Sequence, residues 1–171
     1  MSTQQSPYTR KSKIEKRVSQ KPAERQIPEL FYTKNGDNSI WDDVNDISVQ
    51  HDNAKGASAT TLTYVCEAIK KDGFVRHIKD PKKLTESIQA VTGKFNEYCE
   101  TSDKIKEMHK DKSGVAKTQN EHALALDVGV KYFELTEKFE NELHPLIVDV
   151  SRQINEAEVS YAGEVKSNKI D

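Results

Sequence analysis

Five histidines and two cysteines are the side chains of this sequence best suited to nucleophilic, acid–base or metal chemistry. Their spacing supports little of it. No histidine begins an H-E-x-x-H motif, and none stands three residues after a carboxylate. The paired ligands of helical zinc and di-iron sites are therefore missing. Cys66 and Cys99 form no C-x-x-C pair, and nothing in the linear sequence positions a base beside either thiol. Both are expected as small buried thiols on helix faces. The glycines are too far apart for a G-x-G-x-x-G or P-loop phosphate cradle, and no G-x-S-x-G elbow occurs. These residues predict no catalytic, cofactor or metal site. His109 and His122 flank one interhelical loop and are expected near one another. A protonation-sensitive seam histidine at 109 is the one version with a testable consequence.

Charge is the stronger chemical signal. Residues 1–34 hold eight lysines and arginines against three glutamates, while residues 35–171 hold 18 against 25 acids. The net charge of −2 thus hides a basic start and an acidic remainder. Arg10, Lys11, Lys13, Lys16, Arg17, Lys21 and Arg25 lie in residues 1–26, where only Ile14 and Val18 are strongly apolar. That is too little surface to offset the entropy of ordering, so 1–26 is expected to be a flexible basic arm. Ile14 and Val18 are four apart and allow one short helix on a partner, which Pro22 would stop. Such an arm suits phosphate backbones, through counterion release, or an acidic protein surface.

These features need a body to carry them. Hydrophobic residues are 35% of the chain and charged residues 32%, an apolar-poor mix that fits long helices with narrow stripes better than a thick core. Residues 27–34 (Ile27, Leu30, Phe31, Tyr32) form an apolar patch expected to pack on the body or on a neighbour. The turn residues at 35–38 and Ser39 as N-cap predict a short helix over 40–50, with Trp41, Val44 and Ile47 inward and Asp42, Asp43 and Asp46 outward. His51 to Ala59 reads as a loop around Gly56. A second short helix is expected over 60–72 with Leu62, Val65, Cys66 and Ile69 on one face, ended by Asp72-Gly73.

Asp80-Pro81 is a helix start, an acid at the N-cap and proline at the first position. Leu84, Ile88, Val91, Phe95, Tyr98, Ser102, Ile105 and His109 then step by four and three, a heptad stripe predicting a helix over about 81–111. Thr118 and Glu121 fit a capping box. Beyond them Tyr132, Leu135, Phe139, Leu143, Leu146, Val150, Ile154, Ala157 and Tyr161 step by three, four and four, an eleven-residue repeat. Leu126, Val130 and Phe133 widen the apolar arc of this helix's first half and place it in the middle of the bundle. Pro145 removes a backbone donor, so a kink or break is expected near 142–144.

The sequence therefore predicts an all-α protein: an arm (1–26), an irregular bundle of about four helices over 27–166, two short and two long, and a polar tail at 167–171. The two long stripes, Leu84, Ile88, Val91 and Phe95 with Tyr132, Leu135, Phe139, Leu143, Leu146, Val150 and Ile154, are the expected helix–helix interface. They suggest a non-catalytic assembly protein that joins copies of itself or a helical partner. The alternative is a protein that coats or packages nucleic acid through its arm, and a small helical enzyme would need a pocket not evident here. No apolar leader, N-x-Ser/Thr site or run of about 18 apolar residues occurs, so a cytoplasmic setting with free thiols is expected.

Overall fold

A computed structural model describes residues 39–170, with side chains through 167. The arm, the apolar patch at 27–34 and the turn at 35–38 lie outside the described residues. α1, Ile40–Ile69, is 30 residues long. A 3₁₀ turn, Phe74–His77, leads to α2, Pro81–Met108. α3, residues 119–170, is continuous: Gln119–Lys138, a π-helical turn Phe139–Leu143, then His144–Ile170. No strand occurs among the described residues. α1 and α3 run in the same direction, with α2 antiparallel to both. Trp41 meets Glu121 near their starts, Tyr64 meets Glu158 near their ends, and the end of α2 returns to the start of α1 through Asn45 and His109.

The fold is all-α as expected, but the body has three long helices instead of four. The expected loop at 51–59 is helix. Its inward positions are small or polar: His51, Ala54 and Ser58 are buried. The Ser58, Thr60 and Thr61 hydroxyls donate to the carbonyls of Ala54, Gly56 and Ala57, the local satisfaction open to Ser and Thr inside a helix. Small interior residues at three- and four-residue steps continue the stripe that a count of large apolar residues misses. The same rotation corrects Cys66, which is exposed, while Ala68 joins Val65 in the core. Cys99 is half-buried. Asp43 is buried too, unlike Asp42 and Asp46.

The ends of α2 and α3 follow their sequence signals. Asp80 accepts a hydrogen bond from the Lys83 N–H (3.1 Å) and Thr118 from the Glu121 N–H (3.1 Å). Ser39 holds the N-cap position of α1 without a side-chain cap bond. Gly73, at φ 77°, takes the left-handed conformation that lets the chain leave α1. Pro145 does not divide α3. The π turn just before it accommodates the missing donor and adds a residue to the stripe, so Ile147 takes the buried place expected of Leu146, which is half-buried. The helix runs to Ile170, through the expected polar tail.

Gly56 and Gly93 give a direct test of helix continuity. Both are exposed inside helices, and a Cβ at either meets nothing within 4 Å. Gly56→Ala and Gly93→Ala are each expected to stabilise the chain by about 0.5–1 kcal/mol in urea unfolding. No gain at Gly56 alone would return 51–59 to a loop.

Candidate functional site

The groups with the most perturbed chemistry lie inside the bundle, in a polar seam that crosses all three helices. Heptad and α1 periodicity bring Tyr98, His51, Tyr132, Thr136 and the α2 C-cap residue His109 to adjacent levels. His51 is fully buried. Its Nδ1 lies 2.6 Å from the Tyr98 hydroxyl and its Nε2 lies 3.2 Å from the Thr136 hydroxyl. Thr136 gives its own hydrogen to the Tyr132 carbonyl (3.0 Å), so toward the ring it acts as an acceptor. The network thus assigns the hydrogen of neutral His51 to Nε2, with Nδ1 accepting from Tyr98. The His51 ring also stacks on Tyr132, with centroids 5.2 Å apart.

His109 carries the opposite assignment. Asn45 donates from Nδ2 to the Lys112 carbonyl (2.9 Å), which turns its Oδ1 toward His109 Nδ1 at 3.1 Å. His109 Nδ1 is therefore the donor, and Nε2 accepts from the Tyr132 hydroxyl at 2.6 Å. Burial is the main cause of the titration shifts here. It lowers His51 to about 4, lowers His109 below its usual value, and raises Tyr132 to about 12. The cleft between α2 and α3 that reaches Tyr98 holds about 30 Å³, room for about one water.

The seam fixes register. Sliding any helix by one turn would strand buried hydroxyls and imidazole nitrogens, at a cost of about 1–3 kcal/mol for each lost partner. Tyr132→Phe removes the hydroxyl that both His109 and Ser48 bond and is expected to destabilise the chain by about 1–3 kcal/mol in urea unfolding. A change below about 0.3 kcal/mol would mean that these bonds contribute nothing. A clasp at the base of the bundle adds to the ordering. The Trp41 indole N–H donates to Glu121 (2.9 Å), and the Trp41 amide donates to the Gly114 carbonyl (3.0 Å). Asp42 accepts from the Gly114 N–H (2.9 Å).

The stripe residues pack inside the chain. Leu84, Val91, Tyr132, Leu135, Phe139, Leu143, Val150 and Ile154 are buried among this chain's own helices, and Ile88, Phe95 and Leu146 are half-buried against the same core. They are the expected helix–helix interface, but within one chain. His109 is the seam histidine expected, and its ring nitrogens meet Asn45 and Tyr132. Arg10, Lys11, Lys13, Lys16, Arg17, Lys21 and Arg25 lie outside the described residues. His51, Thr136 and Asn45 were not singled out by sequence. The available signal was a polar residue falling three or four positions from Ile47 and Ala54 on the α1 stripe.

Among the described residues no group of three or more His, Cys, Asp or Glu side chains could hold a metal ion, and no helix is long and apolar enough to cross a membrane. Comparison with known proteins gives no match to a family model, a curated protein or a solved structure.

Proposed function

We propose that this chain is a non-catalytic interaction protein, a self-contained three-helix body that meets its partners through its charged outer surface and the basic arm leading from the start of α1. One observation carries the reading. His51, His109 and Tyr132, the seam groups whose titration burial shifts, are committed with Tyr98 and Thr136 to one interior network, where they order the helices and meet no substrate-sized space. Acid–base chemistry needs a group within hydrogen-bond reach of a substrate. With the stripes used inside the chain, charge is the main recognition chemistry left outside. The partner is then a charged or helical macromolecule. Self-association, where it occurs, uses outer surface.

Histidine modification by diethyl pyrocarbonate, followed by peptide mass analysis, tests this. His51 and His109 are expected to stay unmodified in the native chain and to react in urea. Native reaction at His51 or His109 would show a seam open to solvent and would revive an enzymatic reading.

A further inference from the structure

The connection between α1 and α2 is a second basic element, separate from the arm and built into the fold. Residues 70–83 carry Lys70, Lys71, Arg76, Lys79, Lys82 and Lys83 against Asp72 and Asp80, a net +4 on a body whose total is strongly negative. All six cations are exposed. Arg76 pairs with Glu164, but among the described residues none of the five lysines is in an ion pair. Asp80 is partly occupied in capping α2, where it accepts from the Lys83 N–H. The helix start places the positive pole of α2 at the same corner. Lys79 and Lys83 overlook a groove against α3 that is also lined by Arg152, Gln153, Asp80 and Glu156.

We infer that this corner is a contact site for the phosphate backbone of nucleic acid, bound without sequence preference. The inference rests on the reading of the chain as an interaction protein and names one partner. Lysines are compact charges without the planar fork that fits one carboxylate in one geometry. A row of them suits a regular polyanion, whose bound counterions are released on contact. A lipid surface fits less well, because membrane attachment gains from inserted apolar side chains. Within residues 70–83 Val75 is the exposed apolar side chain, with Val165 of α3 at the border of exposure beside Lys71, while Phe74 and Ile78 are buried.

The test uses the full chain and a fluorescein-labelled duplex of about 20 base pairs, titrated by anisotropy between about 50 and 200 mM salt. Vesicles containing phosphatidylserine and a poly-glutamate peptide are run alongside. The variant K70Q/K71Q/K79Q/K82Q/K83Q, its helicity checked by circular dichroism, is compared with an arm variant, K11Q/K13Q/K16Q/R17Q. The corner variant is expected to lose at least about tenfold in affinity for the duplex, with a shallower salt slope by about one for each phosphate contact removed. The arm variant should retain the corner's share of that slope. The inference is overturned by unchanged duplex binding in the corner variant, by no duplex binding in the native chain, or by binding to vesicles or poly-glutamate alone. None of these results touches the closed seam, so the interaction reading falls only on the histidine modification experiment.

Discussion

Replacing Phe139 or Leu143 with aspartate is expected to unfold the chain, not to separate folded copies. Both side chains are 1–2% exposed, and Phe139 lies 5.4 Å from the Tyr98 ring, centroid to centroid. Losing a buried Phe or Leu costs about 2–5 kcal/mol, and an unpaired carboxylate in the interior costs several more. A domain of this size holds about 5–15 kcal/mol in total. Each single substitution should therefore remove most of the far-ultraviolet helical signal at room temperature, and the pair should remove all of it. Asn141→Asp, on the exposed side of the same π turn, is the control and should leave the signal intact. Full helicity in both core variants, with a fall in mass, would place the stripe between chains.

The second large effect is acid sensitivity above the range where carboxylates titrate. His51 is held near 4, against an ordinary value of 6.5, chiefly by burial. Its native state is neutral, while the unfolded chain takes up a proton once the pH falls below 6.5. Stability contributed by neutral His51 is therefore fully present above pH 6.5 and declines as the pH falls toward 4. The total loss is about 3 kcal/mol, from about 1.4 kcal/mol per unit of separation. His109, lowered in the same direction, adds to the slope. The acids Glu121, Glu142, Asp149 and Glu164 are all lowered. Their contribution is lost as the pH falls through and below their ordinary values of 4.5 for the glutamates and 3.8 for Asp149, so most of the window from 6.5 to 4.5 belongs to the histidines. Urea unfolding at several pH values should show the decline, and His51→Gln should flatten most of it while lowering stability at pH 7. Equal stability at pH 7 and pH 4.5 would mean that the seam is open to water.

The fold class, the start of α2, the start of α3 and both long stripes were legible because each rests on a local rule: a capping acid before proline, a capping threonine, and apolar residues at unbroken three- and four-residue steps. What failed was the treatment of polar residues as surface. His51 and Thr136 are interior because each finds a partner on another helix, and such partners are tertiary. The loop expected around Gly56 came from the same habit, since the hydroxyls of Ser58, Thr60 and Thr61 satisfy themselves on the preceding turn without breaking the helix. Pro145 was correctly read as a disturbance, but its resolution as a π turn depends on packing on both sides of α3. Half of the seam is visible in sequence: His109 stands out on its stripe, whereas His51 begins a polar stretch without large apolar residues. The full length of α1 supplies a third wall, so the stripe residues pack within one chain.

The proposed function requires that one chain close its own core. Size exclusion with light scattering on the full chain, read with circular dichroism from about 1 to about 100 µM, tests it most directly, because a fold that needs a second copy weakens on dilution. A mass of 19.4 kDa with full helicity at every concentration is the expected result. A multiple of 19.4 kDa that loses helicity on dilution would contradict it and would return Phe139, Leu143 and their neighbours to an interface between chains.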